Sequence, residues 1–535
     1  MNKKMRFELW ASAALAVLVG TGIVPASPDA QVVSVYPAKM PRMGTVNERF
    51  QSFNIEMVEV TGGRFWKPYG AQVNAILNAQ PSARQPGSNP VGLDPALFQY
   101  RPPIDLANPR LRKLAAGLGP AYVRVSGTWA NTTYFLDSDT APPPNPPEGF
   151  NAVLTRRQWK GVVEFSNAVD AKIVTSFATS PGTRDAGGVW TPKQARQLLA
   201  YTQSLGGNIA AAEFMNEPNF AKIGGAPKGY DAAAYARDLA VFVPFIRHAA
   251  PEMVFLGPGS VTVGEGGMQA PASLGILDSE DLLQATGPVF DAFSYHFYGA
   301  VSQRCVGMGG GSTTAAAALS PEWLSRTERA EALNAGLRDK FEPGKPLWLT
   351  ETGEAACGGN PWASTFLDTF RYLIQHGRLA QRGVQVIAHN TLASSDYGLV
   401  DENTLAPRPN YWAALFWRKL MGATVLNPGA SLAPNLHLYA HCLRGHPGGV
   451  ALLVINADRT TWQELAVPTS SDRYTLTARD LLDTTVQLNG NTLRIDANGT
   501  LPPITGEPIS PGLVRFAPAS ITFLGIPNAG NSSCQ

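Results

Sequence analysis

Two glutamates in this 535-residue chain stand where a pair of carboxylates can do chemistry. One closes the run Phe214-Met215-Asn216-Glu217-Pro218-Asn219, the other the run Trp348-Leu349-Thr350-Glu351-Thr352. Hydrolysis of a glycosidic bond passes through an oxocarbenium-like transition state and needs an acid for the leaving oxygen and a second carboxylate at the anomeric carbon. When the two carboxyl groups are about 5–5.5 Å apart, the second attacks directly and configuration is retained. On this reading Glu217 is the general acid/base, kept protonated by its negative neighbour, and Glu351 is the nucleophile, whose charge vanishes once it becomes an ester. Asn-Glu-Pro alone is ambiguous, because Asn caps helices and Pro suits their first turn. The second strand-end glutamate gives the motif its weight. Glu213 shares the parity of Glu217 and reads as a buried hydrogen-bonding residue, while Glu354 lies beyond the strand end and reads as a loop residue.

Positioning two such groups is the task of the surrounding elements. Eight β-rich runs, at residues 51–58, 121–126, 171–179, 211–216, 253–258, 293–298, 346–352 and 384–392, alternate with stretches that repeat apolar residues at i, i+3 and i+4. The helical stretches include 111–118, 159–169, 195–205, 235–246 and 324–337. Strands each followed by a helix give parallel crossovers, and their closed arrangement is an α/β fold of the (β/α)8 TIM-barrel type, here spanning 51–421. Such barrels carry their chemistry at the C-terminal ends of the strands, which is where Glu217 and Glu351 fall, on strands four and seven. An open doubly wound sheet is the structural alternative. After Gly422 short β-type runs separated by Gly, Pro, Asn and Asp (436–442, 449–455, 464–467, 476–477, 486–488, 493–495 and 520–523) predict a C-terminal β-sandwich over 422–535. Residues 27–50 are extended in character and are a candidate addition to that sandwich, with no flexible linker between the two parts.

Composition narrows the setting. Hydrophobic residues at 44% and charged residues at 16% describe an ordinary globular chain. Lys3, Lys4 and Arg6, an apolar run over 9–24 and the small-residue ending Val24-Pro25-Ala26 predict a signal peptide over 1–26, hence a secreted or periplasmic protein with no stable membrane insertion. In an oxidising compartment Cys305, Cys357, Cys442 and Cys534 can form two disulfides, and three pairings are open. With 43 basic and 41 acidic residues, nothing points to a nucleic-acid partner. The chain lacks Gly-x-Ser-x-Gly, His-Glu-x-x-His and a Gly-x-Gly-x-x-Gly turn. His437 and His441 lie in a β-type run, where their spacing reflects a sandwich face. No cofactor and no metal are expected, and a carbohydrate is the expected partner.

At these residues the sequence resembles glycoside hydrolase family 79, the heparanase and β-glucuronidase type. The similar stretches are 111–135 (LRKLAAGLGPAYVRVSGTWANTTYF), 216–219 (NEPN), 295–298 (YHFY), 347–361 (LWLTETGEAACGGNP), 397–403 (YGLVDEN) and 411–425 (YWAALFWRKLMGATV). The resemblance implies a barrel with a β-sandwich, retention, and a β-linked uronic acid before the scissile bond. It places the acid/base on Glu217, the nucleophile on Glu351 and the sugar-carboxylate receptor on Cys357, Gly358 and Tyr397. A backbone nest with one phenol suits an anion because it donates without a competing mobile charge. Asn216, Tyr298 and Glu56 are implied to hold the sugar or the nucleophile, and His296 to orient the nucleophile or to fill a structural role. Cys442 and Cys534 match the family's sandwich disulfide, which leaves Cys305 and Cys357 to tie the loop after the sixth strand to the receptor loop. In the chain-entropy view a closed loop of roughly ninety residues stabilises by about 4–5 kcal/mol.

Two departures from the heparanase pattern matter. Cys357 replaces a glycine in the receptor loop, and Asp137 to Val153, a short loop rich in proline over 140–147, spans the place of a long excised linker, which implies a single-chain enzyme. There is no dense Lys/Arg cluster of the kind that grips a sulfated polymer. The readings that compete are a barrel glycosidase of the same clan acting on a neutral β-sugar and a non-catalytic carbohydrate-binding relative. Endo or exo action, the natural glycan and the oligomeric state are not written in the sequence.

Overall fold

A computed structural model of the protein describes residues 33–78, 94–270, 272–306, 311–429 and 432–535. The expected signal peptide lies outside the described residues. Eight strands, β1 (Gln51–Glu56), β2 (Ala121–Ser126), β3 (Ala171–Ser176), β4 (Ile209–Glu213), β5 (Val254–Val261), β6 (Ala292–Phe297), β7 (Leu347–Thr352) and β8 (Val386–His389), close into a barrel of order β4-β5-β6-β7-β8-β1-β2-β3. All eight neighbour pairs are parallel. The barrel helices, one for each strand, are α1 (Pro109–Leu118), α2 (Arg156–Ala168), α3 (Lys193–Ser204), α4 (Ala232–Ala249), α5 (Ser279–Thr286), α6 (Pro321–Phe341), α7 (Phe366–Gln381) and α8 (Pro409–Leu420); two short helices, Met57–Thr61 and Ala71–Asn78, lie between β1 and α1. The chain is thus a (β/α)8 barrel. Local chemistry sets the helix starts: Thr155 and Gln158 form a reciprocal capping box on α2, and Ser320 caps α6 ahead of Pro321.

The barrel interior changes character along its axis. Tyr122, Val174, Ala211, Leu256, Ala292, Trp348 and Val386, one from each of seven strands, form an apolar plug at the N-terminal end. Side chains alternate along a strand, so the residues two further on also face inward. Those are Arg124, Ser176, Glu213, Pro258, Ser294, Thr350 and Ala388, a layer rich in polar groups. The plug gives the mouth a rigid floor; the polar layer gives it charge.

Helix α8 runs directly into the first strand of the C-terminal β-rich region, β9 (Met421–Leu426). It is followed by β10 (Leu436–Leu443), β11 (Val450–Asn456), β12 (Gln463–Val467), β13 (Ser471–Thr477), β14 (Gly512–Phe516) and β15 (Ser520–Ile526). The larger sheet runs Arg42–Thr45, β9, β10, β11, β15, β13 and on to a small hairpin; the smaller one is Val33–Ser34, β12 and β14. The extended N-terminal segment therefore contributes to both sheets. On β11, Val450, Leu452 and Val454 face the smaller sheet, while Ala451, Leu453 and Ile455 pack into the core shared with α7 and α8. Period-two alternation thus seals the sheet on both faces.

The sequence reading missed two small sheets beside the barrel, Gly63–Trp66 with Phe98–Arg101 and Thr133–Leu136 with Ala152–Thr155, and in the C-terminal region the structure departs from it in three strands. The run 493–495 is not a strand; pairing falls instead on Asn491–Thr492, because Asn489 and Gly490, both at positive φ, make a two-residue hairpin that aligns Leu488 with Asn491. Residues Gly512–Phe516 and Glu507–Ile509 are strands that their proline-rich surroundings hid. Both disulfides form, Cys305 with Cys357 and Cys442 with Cys534.

Candidate active site

The site is organised around Arg124, which lies in the middle of β2 with its side chain 1% exposed. A buried guanidinium needs charge and hydrogen-bond partners, and here it has both. Its Nη1 donates to Glu351 Oε2 at 2.8 Å, and its Nη2 donates to Glu213 Oε2 and to Asn216 Oδ1, each at 2.8 Å. Glu213 is completed by Ser294 Oγ and Thr350 Oγ1, which donate to its Oε1 at 3.0 and 2.7 Å. Glu213 is therefore a structural anion.

Glu351 reaches the cavity through an irregularity in pairing. Tyr295 on β6 is opposite Leu349, but its successor His296 is opposite Glu351, and the pairing with β8 also shifts between Leu349 and Thr352. The extra residue lets Thr350 and Glu351 both point inward, which strict alternation forbids. Tyr298 O–H then donates to Glu351 Oε1 at 2.8 Å, so each oxygen of this carboxylate has a donor. Glu217 lies just past β4 in the left-handed region, with φ 50°. His296 Nδ1 is hydrogen-bonded to its Oε1 at 3.0 Å and stands 3.7 Å from Glu351 Oε2. One oxygen each of Glu217 and Glu351 and one ring nitrogen of His296 lie within 4.8 Å of one another. His296 thus contacts Glu217 more closely than Glu351. Asn131 fixes the approach to Glu217, its Oδ1 accepting from Asn216 N and its Nδ2 donating to Asn216 O, both at 2.9 Å.

A second cluster faces these carboxylates. Asn390 Nδ2 lies 3.0 Å from Glu56 Oε1 and 3.1 Å from each of the Tyr298 and Tyr397 hydroxyl oxygens. Glu56 packs so closely on Gly127, at φ 89°, that a Cβ there would stand 1.5 Å from its Oε2. The receptor loop is held from below by the segment after β6. Ser302 Oγ and Arg304 Nη1 donate to the Cys357 carbonyl at 2.9 and 3.2 Å, and Arg304 Nη1 also donates to Gly359 O. Cys357 occupies the left-handed region at φ 65°, which costs a side chain roughly 1–2 kcal/mol and explains why glycine suits this position. The bond to Cys305 and the two donors to its carbonyl hold it there. Neither Cys357 N–H nor Gly358 N–H donates to another described residue.

A cavity of about 150 Å³ lies over these groups, lined among others by Glu56, Asn216, Glu217, Tyr298, Glu351, Cys357 and Tyr397. An apolar cavity of about that volume holds a six-membered ring. Of the residues singled out in the sequence, His296 sits beneath the lining, fully buried, and Gly358 beside it. Glu354 is tied to its own loop by Asn360, whose N and Nδ2 donate to it. Arg124, Asn131 and Asn390 escaped the sequence reading. Arg124 had a usable signal, since an arginine inside Ala-Tyr-Val-Arg-Val-Ser must be buried with a partner.

Electrostatics follow from these contacts. Burial, then the charge of Glu351, push the Glu56 carboxyl well above its usual range, and the same causes, against the His296 hydrogen bond, raise Glu217. Burial alone would lower His296, but Glu351 and its hydrogen-bonded carboxylates outweigh burial and Arg124 and hold its pKa up at about 9. Burial would raise Glu213, but Arg124 and His296 outweigh it and hold the group far below 4.5. Burial lifts Glu59 and Glu354 to about 7.

These shifts predict an unusual stability profile. Glu59 and Glu354 contribute stability that is fully present below about pH 4.5 and lost as pH rises through 7; His296 does the same between 6.5 and 9. Glu213 contributes fully above about pH 4.5 and loses its contribution progressively as pH falls below that. The melting temperature is expected to peak at mildly acidic pH and to fall steadily towards pH 9.5. A Glu59→Gln variant should flatten the part between 4.5 and 7; a parent curve flat from 5 to 9 contradicts the assignment.

A closed parallel barrel whose strand ends bring two carboxylates to one ring-sized cavity is the architecture of a barrel glycoside hydrolase. The comparisons agree. Residues 104–377 match the sequence model of the glycosyl hydrolase family 79 N-terminal domain. The heparanase of Gallus gallus is 30% identical over 499 residues, covering 80% of this chain and 90% of its own length. The baicalin-beta-D-glucuronidase of Scutellaria baicalensis is 31% identical over 189 residues, covering 34% of this chain and 36% of its own. Among solved structures, the 4-O-alpha-L-rhamnosyl-beta-D-glucuronidase of Fusarium oxysporum 12S superposes with TM-score 0.57 at 14% identity, covering 92% of this chain and 99% of that one. The chain belongs to glycoside hydrolase family 79. It is a glycoside hydrolase, and its substrate is a carbohydrate.

Proposed function

We propose that the protein hydrolyses a β-linked uronic acid with retention, by double displacement through a covalent glycosyl-enzyme on Glu351. The observation that carries this reading is the approach of Glu217 and Glu351 to within 4.8 Å across a ring-sized cavity. Arg124 and Tyr298 hold both oxygens of Glu351, which aims the carboxylate at one carbon. Glu217, raised by burial and by Glu351, keeps its proton for the leaving oxygen. Once Glu351 is an ester its charge is gone, the pKa of Glu217 falls, and the same carboxylate, beside the His296 imidazolium, takes a proton from the attacking water.

The uronate preference rests on the receptor. Cys357 N–H, Gly358 N–H and the Tyr397 hydroxyl hydrogen have no acceptor among the described residues, while Asn390 donates to the Tyr397 oxygen. Burial and the charge of Glu351 push Glu56 towards its protonated form, which can donate to a sugar hydroxyl and repels the sugar's carboxylate less. The relatives named for heparanase and glucuronidase activity support the same substrate class. Two disulfides favour a site of action outside the reducing cytosol, in keeping with the expected export.

The test is turnover of an aryl β-glucuronide against the matching aryl β-glucoside. Hydrogen bonds to a charged group are worth about 1.5–3 kcal/mol each, so the glucuronide should lead by roughly 10²-fold or more in kcat/KM. A glucoside preference removes the uronate claim.

A further inference from the structure

The leaving group has its own wall in this cavity, and that wall is apolar. In the barrel order β4 and β5 lie diametrically across from β8 and β1. Of the groups proposed to grip the sugar, Glu56 comes from the end of β1, Tyr397 from the segment after β8, and Cys357 and Gly358 from the loop after β7; Glu217 comes from the other side, after β4. A leaving oxygen that takes its proton from Glu217 therefore exits towards the loops after β4 and β5. Those loops line the cavity with Phe220, Ile223, Ala270 and Leu274, the last three only half-buried; all four belong to a hydrophobic cluster that reaches across the cavity to Tyr298 and Tyr397. Among the described lining residues the only charged side chains are Glu56, Glu217 and Glu351. No lysine or arginine among them meets what leaves.

We propose that the leaving-group subsite takes an apolar aglycone, an aryl or fused-ring alcohol, and discriminates against an anionic or sulfated one. The inference rests on the proposed role of Glu217 and deepens that reading. An apolar ring laid on Phe220, Ile223 and Leu274 gains about 25 cal/mol per Å² removed from water, whereas a sulfonate there meets no cation among the lining side chains, faces the charge of Glu351 and loses hydration.

The experiment uses four substrates: 2-naphthyl and 6-sulfonato-2-naphthyl aglycones, each on β-glucuronic acid and on β-glucose. The two naphthols are leaving groups of similar acidity, so the sulfonate changes charge far more than chemistry. The parent should cleave the plain naphthyl glycoside with kcat/KM about tenfold or more above the sulfonated one, the difference lying mainly in KM. Leu274→Lys, which touches no reacting group, should shrink that ratio to within about threefold by lowering KM for the sulfonated substrate. Equal or faster cleavage of the sulfonated substrate by the parent overturns the proposal. If the glucosides outrun the glucuronides, the uronate reading falls, and the ratio of the two aglycones on glucose still decides the nature of the subsite.

Discussion

Replacing Glu351 with glutamine is expected to lower turnover of an aryl β-glucuronide by about 10⁵-fold or more, the scale on which loss of a covalent nucleophile acts. The fold should survive, because glutamine keeps an oxygen for Arg124 or Tyr298 and because charge can readjust. The buried groups offset one another: Arg124 and His296 face Glu213 and Glu351, while Glu56 and Glu217 are both shifted towards the protonated form. Removing the Glu351 charge takes away the strongest support of the His296 proton, so the imidazole neutralises and the balance holds. The loss of stability between pH 6.5 and 9 should accordingly move to lower pH in this variant. Glu217→Ala has a different signature. Substrates with poor leaving groups should lose about 10³–10⁴-fold and nitrophenyl substrates far less, since only the former need the acid. Added azide should restore turnover by attacking the glycosyl ester and release a β-glycosyl azide. An equal loss for all leaving groups without azide rescue contradicts the acid/base role.

The second large effect concerns stability. Arg124→Met leaves the fully buried Glu213 without its closest cation, with only His296 at 3.7 Å, and Glu351 without one of its donors. Removing one partner of a buried ion pair costs about 3–5 kcal/mol, because the other charge stays behind. Denaturant titration should show that loss at pH 7, and most of it should disappear in acid, since an unpaired Glu213 has a raised pKa and becomes neutral as pH falls. Adding Glu213→Gln should recover part of the loss, the usual mark of two residues acting as one unit. A cost below about 1 kcal/mol at pH 7 means that Arg124 does not hold the site together.

How far the sequence speaks depends on whether a feature is local. All eight barrel strands were readable because parallel strands buried on both faces are continuous β-rich runs. The place of Glu217 and Glu351 at the barrel mouth was readable because both close β-rich runs, at the strand ends where such barrels hold their reactive groups. What was hidden depends on pairing across the chain. The β7 irregularity that turns both Thr350 and Glu351 inward is a property of registers with β6 and β8, and no residue within Leu347–Thr352 announces it. Asn390 looks like any polar residue near a strand end until Glu56, Tyr298 and Tyr397 are seen around it. The same applies to His296, whose neighbour in sequence is Tyr295 but whose partner is Glu217, 79 residues away. Cys357 carries the opposite lesson. Sequence flagged it as a departure from glycine, and only the structure shows how Ser302, Arg304 and Cys305 hold a side chain at positive φ.

The most direct test is to trap the covalent intermediate. A 2-deoxy-2-fluoro-β-glucuronyl fluoride slows both steps by destabilising the oxocarbenium-like transition state, while fluoride leaves readily enough for the first to outrun the second. Peptide mass mapping after incubation should find one glycosyl adduct, on the peptide containing Glu351, in the parent and none in Glu351→Gln. An adduct on another carboxylate, or an active enzyme that forms none and releases the inverted anomer, contradicts the pairing of Glu217 with Glu351.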